Sequence, residues 1–290
     1  MTASEAALAE ARREFHAGLL NSGILSLNAA GIPSNADSSQ PSSVAYATSI
    51  ARALQVETVQ ERMAGQTSGG GFEQACADFL IETFPRFMRL RPGTWEIRKV
   101  GGRRGAVHAS VFEQYSHLAD LDAAVRANPQ LRAVLGNAYA IAPDVIVSRA
   151  AEPDSYINAD EYLVDDTVAR RAAIRSVNQS QQILHAVISC KWTLRSDRAQ
   201  NARSEALNLI RNRKGRLPHI AVVTGEPTPS RLSSLALGTG DIDAVYHFAL
   251  PELIAAVDEV GSPDAIELLG MMVEGKRLKD IADLPLDLTV

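Results

Sequence analysis

The segment from His185 to Thr224 constrains this chain more than any other. It opens on an apolar run, His185 to Leu194, that reads as a buried strand. A charged stretch follows from Asp197 to Arg213, with Ala199, Ala202, Ala206, Leu209 and Ile210 at helical spacing. Ser196 or Asp197 can cap its start, and Gly215 lies past its end. The segment closes on His219 to Thr224, a second buried strand. A strand, a helix and a strand in that order imply parallel pairing through a right-handed crossover. The core is therefore α/β.

Other elements gather around this unit. Ser4 to Leu20 reads as an amphipathic helix with Ala7, Leu8, Ala11, Phe15 and Leu19 on one side and Ser4 as its N-cap. Gly31 to Ser43 reads as a loop and Ser43 to Leu54 as a helix. Gln66 to Gly71 reads as a glycine turn that opens a helix from Phe72 to about Phe84. Trp95 to Val100 alternates like a strand, Tyr139 to Val147 reads as one buried strand, and Ala244 to Leu250 as another. Pro251 onward is mostly helical. No composition break forces a division, so the expectation is one domain over residues 1–290. Within it, residues 1–90 form a helical region, 91–250 the catalytic core and 251–290 a set of C-terminal helices.

Composition narrows the function. With 46% hydrophobic and 22% charged residues, collagen-like repeats and low-complexity disorder are excluded. No apolar run approaches 18 residues, and the first fifteen residues carry charges rather than a secretory core, so a cytoplasmic protein is expected. Cys76 and Cys190 have no zinc spacing, and the histidines form no HxH or HExxH pattern. The net charge of −5 argues against a nucleic-acid partner when taken as a whole. Its distribution argues otherwise. Phe84 to Arg104 holds seven basic residues against Glu96, and Lys191 to Arg216 holds eight against Asp197 and Glu205. Each island is about +6, which leaves a strongly acidic remainder.

Three features suggest phosphodiester chemistry. Asp144 follows Pro143 inside an apolar run. Ser189 and Lys191 share one side of their strand by its period of two. Glu205 borders the inward stripe of the next helix. Carboxylates hold Mg²⁺, which keeps several waters, and an ammonium can stabilise charge on the phosphoryl oxygens. Taken one at a time, a turn aspartate, a snorkelling lysine and a solvated ion pair are the better readings of these residues; together, in this order and on these elements, they favour a nuclease. Arg195, Ser196, Asp197 and Arg198 begin four residues past Lys191. Arginine pairs with guanine O6 and N7, and aspartate accepts from cytosine N4, so this segment can read G·C pairs. Asp197 as a plain helix cap is the alternative. Lys214, in Arg211 to Arg216, suits a phosphate contact or the ordinary charge of a helix C-terminus.

The stretches SNADSS, ERMAGQTSGGGFE, SCKWTLRSDRAQNARSEALNLIRNRKGRLPHIAVVTGEPTPSR, LALGTGDIDAVYHFAL and GKRLKDIADLPLDL carry a further signal. Through them the chain resembles the CCGG-cutting type II restriction endonucleases, over most of its length but thinly across 101–137 and 150–183. The resemblance implies a restriction-endonuclease-like α/β fold, a mixed central sheet flanked by helices on both sides. It implies a variant PD-(D/E)xK site in which Ser189 stands where an acid is usual and Glu205 supplies the missing carboxylate. Asp144, Ser189, Lys191, Glu205 and Glu73 would be catalytic. Two Mg²⁺ ions would be held by Asp144, the Cys190 carbonyl and Glu205. Arg195, Asp197 and Arg198 would read the inner CCGG, with Ser196 beside them. Gln66, Asp37 and Arg231 would serve the minor groove and the outer pair. The implied activity is cleavage of GCCGGC in double-stranded DNA after the first G, leaving a four-base 5′ overhang. A homo-oligomer, at least a dimer and in the family a tetramer, is implied. So is a cognate methyltransferase that is not a physical partner. A DNA-binding protein on a non-cleaving nuclease scaffold is the alternative from another class.

Overall fold

Helices α1 (Ala7–Asn21), α2 (Pro41–Ala53) and α3 (Gly65–Thr83) precede strand β1 (Trp95–Lys99). Then come β2 (Val107–His108), α4 (Leu118–Ala127), β3 (Ala140–Ile141), β4 (Val145–Arg149) and β5 (Ile183–Lys191). The remainder runs α5 (Ser196–Asn212), β6 (His219–Thr224), α6 (Pro229–Ala236), β7 (Ala244–His247), α7 (Leu250–Val260), α8 (Pro263–Glu274) and β8 (Leu278–Asp280). The structure, a computed structural model, describes residues 5–55, 65–100, 107–128, 130, 140–141, 143–194, 196–238 and 240–290.

Six strands form one mixed sheet in the order β1-β4-β5-β6-β7-β8. β1 with β4 and β4 with β5 are antiparallel, whereas β5 to β8 pair in parallel. The parallel β5–β6 pair, with Ser189 opposite Val222, is the one expected from the strand–helix–strand segment. β5 is buried along nearly its whole length, as a central strand covered on both faces must be. Its alternating side chains meet different layers. Cys190 faces Cys76 of α3. Val187 and Ser189 face Ala202, Glu205, Ala206 and Leu209 of α5 across a small void. α3 thus covers one face of the sheet and α5 the other.

Several boundaries differ from the sequence reading. Ser4 lies outside the described residues, and Ala6 occupies the α1 N-cap position. α2 starts at Pro41, whose missing N–H costs nothing at a first helical position. The glycine turn at 66–71 is helical and extends α3 back to Gly65. Glycine costs about 1 kcal/mol per helical position. Against that, Phe72, Cys76, Phe79 and Leu80 are all buried on the α3 inner face, and Lys99 donates to the Gly70 carbonyl at 2.7 Å. The run from Tyr139 to Val147 is two strands, not one. Pro143 cannot donate a ladder hydrogen bond, so β3 pairs with β2 in a separate ribbon and β4 starts after Asp144. β8, a short edge strand, had no clear pattern in the sequence.

The N-terminal helices are tied to the far end of the chain. Arg12 forks between Glu252 and Asp280, with nitrogen–oxygen distances of 2.6 to 3.0 Å. α1 packs on α3, and α2 on α7.

Candidate active site

Strand direction gathers the chemistry at one edge of the sheet. β1 and β5 both run antiparallel to β4. The last residues of β1 and β5, Lys99 and Lys191, therefore lie beside the residue that precedes β4, Asp144. The main chain locks this corner: Val100 N–H donates to the Asp144 carbonyl at 2.8 Å, and Asp144 N–H to the Ile188 carbonyl at 3.1 Å.

Asp144 is buried, and its Oδ2 accepts from the Cys190 N–H at 2.6 Å and from Lys191 Nζ at 2.8 Å. Burial works against a charged Lys191. Asp144, Cys190 and Glu205 outweigh it, so the ammonium is held above its ordinary pKa. Glu205 reaches the same corner from α5. Burial raises its carboxyl and Asp144 raises it further, against Lys191 and a hydrogen bond with Ser189; the result is pushed up to about 7. Glu73 arrives from α3 on the opposite face. Its pKa is raised by burial and by Asp144, and countered by Lys99 and Lys191. Lys99 Nζ stands 3.8 Å from Glu73 Oε2. Three carboxylates thus straddle the end of the sheet, one from each covering helix and one from the residue just before β4.

Two of these carboxylates are pushed toward the neutral form, which is the mark of a site short of positive charge. The donors suit a hard cation. Asp144, Glu205 and the Cys190 carbonyl offer oxygen only, while the Cys190 thiol is turned into the core toward Cys76 with its pKa raised. Among the described residues no three His, Cys, Asp or Glu side chains could hold a metal ion between them. Further ligands would have to come from main chain, water or phosphate, the habit of Mg²⁺.

The residues expected to read DNA fall in two places. α5 begins at Ser196, a short link after β5. Arg195 lies outside the described residues, as do the side chains of Ser196, Asp197, Arg198 and Gln66. Asp37 and Arg231 are brought together as an ion pair. Hydrogen bonds from Ser39 first, and Arg231 second, hold Asp37 below the usual carboxylate range. Lys214 is not brought to either place. Its N–H bonds to Gln114, which in turn bonds both main-chain groups of Leu184 at the opposite end of β5 from Lys191. A helix of 17 residues spans about 25 Å, so the two ends of α5 lie in different regions of the molecule.

Two residues near these groups went unassigned in the sequence reading. Lys99 follows Trp95 and Ile97 in β1, all three half-buried between exposed neighbours, a register readable from the alternation. Glu226 is fully buried and accepts from the Leu194 N–H at 2.9 Å, and no pattern in the sequence marks it.

Comparison with known proteins gives the class. The chain is 54% identical over 279 residues to the type II restriction enzyme NgoMIV of Neisseria gonorrhoeae, covering 96% of this chain and 97% of that one. Two solved structures align at lower identity. The complex of restriction endonuclease PspGI with substrate DNA gives a TM-score of 0.32 at 13% identity, over 97% of this chain and 89% of that one. Bse634I restriction endonuclease gives 0.38 at 14%, over 79% and 81%. The class is that of the type II restriction endonucleases, site-specific deoxyribonucleases. Residues 15–290 match the sequence model of the NgoMIV restriction enzyme family, and the chain belongs to that family.

Proposed function

We propose that this endonuclease is Mg²⁺-dependent, with two ions per site, and cuts GCCGGC after the first G to leave a four-base 5′ overhang. One observation carries the catalytic assignment: Asp144, Glu205 and Glu73 converge with Lys191 at the strand end from which the α5 reader departs. Asp144 and Glu205, with the Cys190 carbonyl, would hold the metal. Bound there, Mg²⁺ supplies charge neutralisation at the phosphate and a more acidic water.

The chain's own groups divide the remaining work. Lys191, kept charged by Asp144, faces the scissile phosphate and stabilises the charge that builds on its oxygens. Ser189 orients the Glu205 carboxyl through its hydrogen bond, the task left to a serine standing where an acid is usual. Glu73 adds a third carboxylate on the far side of Asp144. Arg195, Asp197 and Arg198, with Ser196, read the inner CCGG through the major groove. Asp37, Arg231 and Gln66 serve the outer pair and the minor groove.

A palindromic site calls for a two-fold dimer, and we propose a tetramer of two dimers. The excursion between β4 and β5 supports association. Buried Arg175 binds Asp154 and the Val168 and Asp165 carbonyls, and the frame it makes presents Tyr156, Tyr162, Leu163, Val168 and Val177 to solvent. Among the described residues no helix is long and apolar enough to cross a membrane. The proposed setting is the cytoplasm, beside a methyltransferase that protects the same sequence without binding this chain.

The test is digestion of a plasmid carrying one GCCGGC site in Mg²⁺, followed by sequencing of the ends. Ends at G^CCGGC, lost in Asp144→Ala, are expected. Blunt ends, another sequence, or wild-type cutting by Asp144→Ala would overturn the reading.

A further inference from the structure

Between the two recognition groups lies a buried carboxylate that neither the metal site nor base contact uses. Glu226 has no exposed surface. Its Oε1 accepts from the Thr228 N–H at 3.2 Å. Its Oε2 accepts from the Leu194 N–H at 2.9 Å and stands 3.6 Å from Arg231 Nη1. Leu194 is the residue immediately before Arg195. Arg231 uses its other terminal nitrogen on Asp37. A single carboxylate oxygen therefore joins the main chain ahead of the inner reader to the ion pair assigned to the outer pair. The loop that carries Asp37 is pinned to the same corner, since Asn35 Nδ2 donates to the Gly225 carbonyl at 2.8 Å.

We propose that Glu226 is a positioning residue that couples reading of the inner CCGG to reading of the outer base pair. The inference rests on the assignment of Arg195, Asp197, Arg198, Asp37 and Arg231 as base readers. A buried carboxylate that loses one charged partner leans harder on those that remain. If a wrong outer pair displaces Arg231, the hold of Glu226 on Leu194 changes with it, and the start of α5 shifts relative to the bases. The enzyme then rejects a wrong outer pair partly by misplacing its inner reader. Errors at the two places become non-additive.

The experiment measures metal-free binding of wild type and Glu226→Gln to four duplexes: GCCGGC, ACCGGT with the outer pair changed, GCTAGC with the inner pair changed, and ACTAGT with both. In wild type the double change is expected to cost about tenfold less than the product of the single changes, the size of a modest coupling between sites. In Glu226→Gln the losses should multiply. A merely structural residue would weaken all four complexes and leave the coupling intact. Equal coupling in both proteins, or no coupling in wild type, overturns the proposal. Glu226→Asp keeps the charge on a shorter arm and should show intermediate coupling; it serves as the second variant should the glutamine protein not fold. Arg198→Ala and Asp37→Asn separate the underlying assignment. Each should lose discrimination chiefly at its own pair, with a smaller loss at the other that the coupling transmits, and if neither loses discrimination at its own pair, the assignment of readers fails rather than the role of Glu226.

Discussion

Lys99 is the residue whose substitution tests the site most cleanly, because it bonds the Gly70 carbonyl and stands near Glu73 without touching Asp144. Lys99→Met removes the charge and keeps the length. It should lower kcat about tenfold while leaving metal-free affinity for GCCGGC unchanged, a loss of the size that slight misplacement produces. Lys99→Arg should restore some of the rate. Steady-state kinetics beside gel-shift titration checks this, and a fall in affinity with unchanged kcat would instead make Lys99 a phosphate contact. Glu205 gives a second prediction. Its carboxyl sits near 7 in the folded, metal-free protein, well above its ordinary value of 4.5. Folding therefore takes up a proton here between those values. The associated stability is full below about pH 4.5 and lost as pH rises through 7, on the order of 3 kcal/mol. Glu205→Gln should remove this contribution to the pH dependence, so that at pH 8 the metal-free variant melts higher than wild type. Added Mg²⁺ should release a proton on binding below pH 7, measurable by calorimetry in two buffers.

Two glycines show how differently an element can use the same residue. A Cβ on Gly70, in the first turns of α3, would meet no atom within 4 Å. Gly70→Ala should therefore raise Tm by about 2 °C through helix propensity, while cleavage falls because α3 begins where DNA approaches in the proposed complex. Gly225 is the opposite case. A Cβ there would lie 2.6 Å from the Trp192 ring and 2.9 Å from its carbonyl. Trp192 itself is wedged between Phe72 and Phe248. Gly225→Ala should cost about 1–3 kcal/mol of stability and disturb the link between Lys191 and the reader. Thermal melts of both variants against wild type decide these signs.

The same elements mark what a sequence displays and what it hides. Strands β5 and β6 and helix α5 were legible because burial on both faces writes long apolar runs, and an amphipathic helix writes its period. The helical glycines of α3 were not, because propensity favours a turn and only tertiary packing overrides it. The break at Pro143 was readable in principle, but an apolar run on both sides concealed it. Asp144, Lys191 and Glu205 could be gathered from their order on the elements. Glu73 became visible only through family resemblance, since its helix comes from the opposite face. Glu226 left no trace because its partners are main-chain groups and a distant arginine.

At the scale of the whole molecule, the net charge of −5 conceals two basic islands, but the structure divides the second of them. Lys191 lies beside Asp144 at the edge of the sheet proposed as catalytic, whereas Arg211 to Arg216 lie at the other end of α5, where Arg216 bonds the Val290 carbonyl. The DNA-facing charge is therefore more local than the sequence count suggests. Lys214→Ala should change cognate affinity less than about threefold and leave the salt dependence intact, because a lost phosphate contact would lower the slope by about 0.9. Binding isotherms at several salt concentrations measure it. The carboxylates that straddle the sheet have one further consequence. They stand at Glu73 on α3, at Asp144 just before β4 and at Glu205 on α5, and the two helices cover opposite faces of β5. Glu205 is the last of the three in the chain, so a growing chain whose α5 (Ser196–Asn212) has not yet emerged from the ribosome lacks one of the carboxylates that the proposed metal site requires.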